Sequence, residues 1–82
     1  MLACVKLFGP MRQAVGQNEL SLLVNGDPPT CAGLRREIRA GEPRLAKMLD
    51  GCRFAVNGRF ALEEQSLAEG DEIALIGFVS GG

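Results

Sequence analysis

The chain has 82 residues, the length of one domain, and a domain of this size buries too small a core to enclose a deep enzyme pocket. Its nine basic and ten acidic residues give a net charge of −1, which argues against a nucleic-acid binder that works by neutralising phosphates. The apolar start is interrupted at Lys6 and is too short for a signal sequence or a membrane span. We therefore expect one cytoplasmic domain that binds neither nucleic acid nor membrane.

The chain has three cysteines, Cys4, Cys31 and Cys52, and no histidine. Their odd number and the absence of a C-x-x-C pair leave little from which to build a metal site or a Cys/His nucleophile, so we expect no metal. Free thiols suit a reducing cytoplasm. We expect Cys4 and Cys31 to be small buried apolar residues, and Cys52 to be the most exposed of the three.

The first quarter of the chain predicts two strands. Residues 1–8 alternate in polarity, and because Lys6 must face water, Cys4 and Phe8 share its side. Gly-Pro ends this strand, and residues 11–15 form one helical turn. A second strand follows over residues 19–24, bounded by a loop rich in glycine and proline.

The middle of the chain predicts the main helix. Thr30 is a suitable N-cap for a helix that runs to about residue 40 and stops at Gly41. Apolar residues recur along one face at helical spacing: Cys31, Leu34 and Ile38. Pro43 suits the first turn of a short second helix over residues 44–49.

The last third predicts a hairpin and a closing strand. Residues 53–56 form a strand, and Asn57-Gly58 is the strongest hairpin turn in the chain. Residues 59–61 form its brief return. The final strand covers residues 72–76, with alternate residues directed to the core.

This order of elements predicts an α+β fold with a mixed sheet and one main helix packed on one face. The helical crossover places the last strand parallel to the first, which is the β-grasp, or ubiquitin-like, arrangement. A ferredoxin-like fold needs a second full helix between later strands, and residues 61–71 are too short and too polar for it. We expect a β-grasp domain over residues 1–78 and a flexible Gly-Gly tail over residues 79–82.

Four large apolar residues are left on the outside of this fold. Phe8, Phe60 and Ile76 fall on strand faces that the pattern assigns to solvent, and Phe78 lies beyond the last inward residue. Gathered near the tail, they would form a patch typical of a protein–protein interface. The alternative is that one or two of them fill the end of the core.

The sequence ends in Val79, Ser80, Gly81 and Gly82, directly after the last predicted strand. Two glycines leave no side chain around the terminal carboxylate, so this end can extend into a slot that a Cβ would block. A frayed stub is the plain alternative. Our hypothesis is that the Gly82 carboxylate is the working group.

The motifs in this order resemble the MoaD/ThiS family of ubiquitin-like sulfur carriers, which includes the small subunit of molybdopterin synthase. The similarity covers nearly the whole chain. The matching segments are Val5-Lys6-Leu7-Phe8-Gly9-Pro10-Met11-Arg12-Gln13-Ala14-Val15-Gly16, Val56-Asn57-Gly58, Leu67-Ala68-Glu69-Gly70-Asp71-Glu72-Ile73-Ala74 and Val79-Ser80-Gly81-Gly82. Each segment is weak alone, but their order and the terminal Gly-Gly are specific together.

The resemblance implies a sulfur carrier without catalytic side chains of its own. A ubiquitin-activating-type enzyme would adenylate Gly82 with MgATP, and a persulfide donor would convert it to a thiocarboxylate. The tail would then enter the large subunit of molybdopterin synthase and give its sulfur to cyclic pyranopterin monophosphate. By the same resemblance Phe8, Phe60 and Ile76 contact the large subunit, Phe78, Val79 and Ser80 extend that contact, and Gly81 fits the slot. The chain itself would bind no permanent cofactor.

One departure from the family pattern keeps other functions open. The family's small subunit commonly has prolines just before the tail, where this chain has Gly77-Phe78. A carrier for thiazole, amino-acid or tRNA sulfur chemistry therefore stays possible, as does a ubiquitin-like modifier joined to lysine through Gly82. The long helical middle over residues 30–50 favours the molybdopterin branch, because thiazole-pathway carriers are usually shorter.

Overall fold

The computed structural model describes residues 1–77, and no helix in that part of the chain is long and apolar enough to cross a bilayer. The elements are β1 (Leu2–Lys6), α1 (Gly9–Val15), β2 (Glu19–Leu23), α2 (Cys31–Gly41), two 3₁₀ turns (Pro43–Leu45 and Leu49–Gly51), β3 (Cys52–Val56), β4 (Arg59–Phe60) and β5 (Ile73–Gly77). Every predicted strand is present. The predicted short second helix is replaced by the two 3₁₀ turns.

The five strands form one mixed sheet in the order β2-β1-β5-β3-β4. The central pair, β1 and β5, is parallel, and every other pair is antiparallel. Helix α2 provides the crossover that a parallel pair requires. This is the predicted β-grasp fold.

Helix α2 packs on one face of the sheet, which we call the inner face. Its N-terminus is capped by Thr30, whose Oγ1 accepts a hydrogen bond from the Gly33 N–H at 3.2 Å. Its apolar stripe, Cys31, Leu34 and Ile38, is fully buried against inward strand residues. The largest of these inward residues are Val5, Phe54, Ile73 and Leu75. The burial confirms the helical spacing and the strand alternation.

The hairpin between β3 and β4 is braced by the loop that leads into β5. Asn57 and Gly58 have φ values of 53° and 83°, as a two-residue type I′ turn requires. The Asn57 side chain donates to Asp71 Oδ1 at 3.0 Å and accepts from the Glu72 N–H at 2.9 Å. Asp71 Oδ2 accepts from the Ala68 N–H at 2.8 Å. These bonds set the position at which β5 enters the sheet.

Arg35 of α2 clamps three distant segments together. Its guanidinium donates to both Glu63 carboxylate oxygens at 2.8 and 2.9 Å, to the Cys52 carbonyl at 3.0 Å and to the Leu49 carbonyl. The same group lies over the Phe54 ring, 5.3 Å from its centroid. The hydrogen bond from Arg35 lowers the pKa of the Glu63 carboxyl and raises that of the guanidinium. This clamp fixes where β3 begins.

Two of the three predictions for the cysteines are wrong. Cys31 is buried as expected, but Cys4 is exposed and Cys52 is buried. Cys4 lies on the solvent side of β1 with Lys6, 3.5 Å from Ser21 Oγ. Cys52 belongs to β3, whose first, third and fifth residues face inward, so its thiol is directed into the core. Strand alternation therefore decides both cases.

Candidate functional site

Opposite α2, the outer face of the sheet carries an apolar cluster that extends along β5 from Ala74 to Ile76. Strand pairing aligns Ala74 with Ala55, and Ala55 with Phe60. Ile76 lies two residues after Ala74 on the same face of β5. Extending the β1–β5 register by two residues places Phe8 beside it. We call these five residues the tail-side patch.

The aromatic residues of the tail-side patch are open to solvent. Phe8 is 50% exposed and Phe60 is 53% exposed, whereas Phe54 on the inner face is 0% exposed. Ile76 is half-buried. Apolar residues grouped in this way on one face mark an interaction surface, whereas a single exposed phenylalanine does not.

Basic residues border the tail-side patch. Arg53 pairs with Ile76 across the sheet, and its guanidinium lies over the Phe60 ring, 5.0 Å from the centroid. Lys6 pairs with Ala74 from the other side. A partner that covers this surface would therefore meet an apolar centre with positive charge at its margin.

The last described residue, Gly77, is where the tail-side patch meets α1. A Cβ at Gly77 would lie 3.4 Å from Met11 Cε and 3.9 Å from Cys52 Sγ, which are ordinary van der Waals distances, so Gly77 lies against these two side chains. The Cys52 thiol donates to the Met48 carbonyl at 3.0 Å. Desolvation raises the pKa of this thiol, and that of Cys31 as well. Both stay protonated at neutral pH and are poor nucleophiles.

Comparison with known proteins identifies the family to which this chain belongs. The model of the ThiS family matches residues 5–82. The chain belongs to the ThiS family. It is also 32% identical over 80 residues to the molybdopterin synthase sulfur carrier subunit of Chlamydomonas reinhardtii, and the match covers 95% of each chain. The resemblance inferred from the sequence is thus confirmed.

Solved structures of two kinds resemble this ThiS-family chain. SAMP1 of Haloferax volcanii, a small archaeal modifier protein, matches with a TM-score of 0.82 at 27% identity, covering both chains completely. The complex of subunits 1 and 2 of molybdopterin-converting factor from Helicobacter pylori contains a chain that matches with a TM-score of 0.70 at 26% identity, again over the full length of both. The ThiS-family fold therefore occurs in a modifier and in a subunit of a two-component factor.

The structure brings together three of the residues that the sequence assigned to this ThiS-family site. Phe8, Phe60 and Ile76 share the outer face: Phe8 lies level with Ile76 near the end of β5, and Phe60 lies level with Ala74, nearer its start. The remaining site residues of that prediction lie outside the described residues: Phe78, Val79, Ser80, Gly81 and Gly82. Their roles stay predictions.

Sequence reasoning missed three residues of the surface. Ala55 and Ala74 join the two aromatic ends of the tail-side patch, and Arg53 covers part of the Phe60 ring. Ala55 and Arg53 could have been found by carrying the Asn57-Gly58 hairpin register one and three pairs back from the turn. The pairing with β5 could not, because it joins segments that are far apart in sequence.

Proposed function

We propose that this chain is the sulfur-carrier subunit of a molybdopterin synthase and that its Gly82 carboxylate is the group that carries the sulfur. The observation that carries this proposal is the tail-side patch beside Gly77, the last described residue before the Gly-Gly end. A surface that binds a partner at this position delivers the following residues into that partner. Membership of the ThiS family and the similarity to the Chlamydomonas reinhardtii subunit support it.

Loading the carrier requires activation, because a carboxylate is anionic at neutral pH and a poor electrophile. In the proposed sequence, a ubiquitin-activating-type enzyme joins the Gly82 carboxylate to AMP from MgATP and releases pyrophosphate. The terminal sulfur of a donor persulfide attacks the carbonyl carbon and AMP leaves. A thiol then cleaves the resulting acyl disulfide, which leaves a thiocarboxylate on Gly82 and a disulfide on the donor side.

Unloading requires a second partner. Inside the large subunit the thiocarboxylate sulfur bonds to a carbon of cyclic pyranopterin monophosphate and displaces an oxygen substituent from that carbon. Water then cleaves the acyl–sulfur bond, which leaves the sulfur on the pterin and restores the Gly82 carboxylate. Since a dithiolene contains two sulfur atoms and each tail carries one, two loaded carriers act per product. The carrier supplies the group and the partners supply the catalytic side chains. MgATP belongs to the activating enzyme.

The tail-side patch is the surface that binds the partner during these transfers. In this proposal Phe8, Phe60 and Ile76 contact the large subunit, and Phe78, Val79 and Ser80 continue the contact towards its active site. Gly81 and Gly82 pass through a channel too narrow for side chains. The complex of subunits 1 and 2 from Helicobacter pylori supports a partner of this kind.

Mass spectrometry of the chain from cells with an intact sulfur pathway tests the chemistry. We expect a species in which one oxygen has been replaced by sulfur, located to Gly82 by fragmentation. One residue appended after Gly82 should abolish this species and synthase activity, whereas one residue added before Met1 should not. Full activity of the extended chain would contradict a mechanism that depends on a free terminal carboxylate.

A second function, ubiquitin-like modification, is favoured by the similarity to SAMP1 of Haloferax volcanii. The same activated Gly82 would then form an amide with a lysine of a target protein. Tryptic peptides that carry a branch from residue 82 on lysine would support this function. A thiocarboxylate without such branches, together with co-purification of a large synthase subunit, would support the sulfur-carrier function in molybdopterin synthesis. A thiocarboxylate that serves a thiazole, amino-acid or tRNA pathway would appear without that subunit.

A further inference from the structure

A groove on the described surface, outside the tail-side patch, lies between strand β2 and helix α2. It has a volume of about 520 Å³ and is bordered by residues 20–23 of the strand and by Glu37, Ile38 and Glu42 on the helix side. Four consecutive strand residues border one groove only when the strand's edge, not one of its faces, forms the wall. β2 is an edge strand of the sheet.

The unpaired backbone groups of this edge can be assigned from the register. The Val24 N–H donates to the Met1 carbonyl at 2.9 Å, and the Leu7 N–H donates to the Asn18 carbonyl at 2.8 Å. Antiparallel pairs alternate, so the even-numbered residues of β2 bond to β1. The residues whose N–H and C=O groups point away from the sheet are Glu19, Ser21 and Leu23.

We propose that this edge binds an extended segment of another protein, which adds a sixth strand to the sheet. Its backbone pairs with Ser21 and Leu23. Alternate side chains of the segment enter the groove against the half-buried Leu20 and Leu22, so they are apolar. Strand β2 contains no proline, lysine or bulge, the devices by which exposed edges usually avoid such pairing.

The charges of the groove define the flanking residues of that segment. Glu19 begins the strand, and Glu37 and Glu42 border the groove, while no basic side chain lines it among residues 1–77. Glu42 already has a cation beside it, Arg44 at 2.7 Å, so the groove carboxylate left for a cation of the segment is that of Glu37. The segment therefore carries lysine or arginine beside its apolar residues.

The same charges argue against a second copy of this chain as the occupant. Pairing β2 with β2 of another molecule around Ser21 would bring two sets of acidic groups together without a cation between them. The groove is also separated from the tail-side patch, because β1 lies between β2 and β5. A segment bound at β2 leaves the tail-side patch open.

Nuclear magnetic resonance titration of the full chain tests this proposal. The probe is a short synthetic peptide that alternates valine with threonine between terminal lysines, and its matched control has terminal glutamates. We expect saturable shifts at the amides of Glu19, Ser21 and Leu23 and along the second half of α2, with Phe8 and Ile76 unchanged. The control peptide should bind more weakly, and the difference should shrink at high salt.

Two matched variants distinguish backbone pairing from nonspecific binding of the peptide. Ser21→Pro removes an outward N–H without touching the β1 ladder, so it should weaken the peptide about tenfold, whereas Ser21→Thr should not. Glu37→Lys should weaken it about two- to fivefold. Should Ser21→Pro fail to fold, a peptide N-methylated on its pairing edge gives the same comparison with the unaltered chain.

Three outcomes would overturn the proposal. The first is equal binding of the methylated and unmethylated peptides. The second is a shift map centred on Phe8 and Ile76 instead of β2. The third is concentration-dependent dimerisation that protects the β2 amides, which would make a second copy the occupant.

Discussion

The two faces of the sheet use the same strands for opposite purposes. Phe54 of β3 points inward and is 0% exposed, while Phe60 of β4, beside the next residue of β3, points outward and is 53% exposed. The inner face is covered by α2, but the outer face stays open at Phe8 and Phe60. A phenylalanine on the inner face stabilises the fold, and one on the outer face is available to another molecule.

This contrast explains how a small domain can carry a conspicuous apolar surface without a cavity or catalytic cluster. Its core is closed by α2 and by the Arg35 clamp, independently of the outer face. Substitutions on the outer face are therefore expected to change binding and leave folding nearly intact. The predictions below test that separation.

The largest expected effect is on stability, from Phe54→Ala. A buried phenylalanine replaced by alanine costs about 3–5 kcal/mol, a large share of the stability of a domain this small. Phe60→Ala should cost less than about 1 kcal/mol, because its ring already contacts water. Urea unfolding of both variants gives the comparison. A similar loss for both would mean that the outer face is part of the core.

The next effect is on binding, from Ile76→Asp. A carboxylate at the centre of the tail-side patch should weaken binding of the large synthase subunit by about 2 kcal/mol or more, because it is desolvated without a partner. Leu23→Asp is the matched control, since Leu23 is 68% exposed and lies on the edge strand β2, outside the tail-side patch. Calorimetric titration measures both. Equal weakening by the two variants would contradict a role specific to the outer face.

Arg35→Gln, on the inner side of the sheet, should lower the free energy of unfolding by a smaller amount. Removing the guanidinium leaves the Leu49 and Cys52 carbonyls without their donor and should cost about 1–3 kcal/mol at neutral pH. Arg36→Gln, on the same helix and exposed, should cost far less. Binding of the large subunit should be unchanged in the folded fraction.

Arg35→Gln should change the pH dependence of the free energy of unfolding in a defined direction. The Glu63 pKa is lower in the folded chain than its unfolded value of about 4.3, so the unfolded state binds more protons in this range. The pair therefore stabilises the fold above that value, and the stabilisation is lost as the pH falls through the folded pKa. Urea unfolding at several acidic pH values should show a shallower loss in Arg35→Gln. Parallel curves would contradict the coupling of Arg35 to Glu63.

Much of this fold was predictable because its signals are local. The alternation around Lys6, the cap at Thr30 and the turn at Asn57-Gly58 each act over a few residues, and all three are confirmed. The alternation around Lys6 places Cys4 on the solvent side, against the burial expected from its residue type, and the same alternation applied to β3 would have placed Cys52 inward. Periodicity therefore carried more information than composition.

The parts that sequence reasoning missed depend on contacts between distant residues. Residues 44–49 were predicted as a short helix, but the backbone hydrogen bonds around them join residues three apart, from Leu45 to Glu42 and from Gly51 to Met48. A segment this short, entered through a proline, is shaped by what it packs against. The Arg35–Glu63 pair spans 28 residues, so no local pattern announces it.

Arg53→Gln, at the margin of the outer face, should have the smallest effect on stability and on binding. The guanidinium over the Phe60 ring stabilises the fold by about 0.5–1 kcal/mol, as an exposed cation–π contact does. Losing that charge should also make binding of the large subunit less dependent on salt, because the basic margin contributes to the association rate. Arg53→Lys keeps the charge but not the flat contact, so it should lose the stability and retain the salt dependence. If Arg53→Lys instead behaved like Arg53→Gln in both measurements, the charge would have no role in docking and the outer face would act through its apolar residues alone.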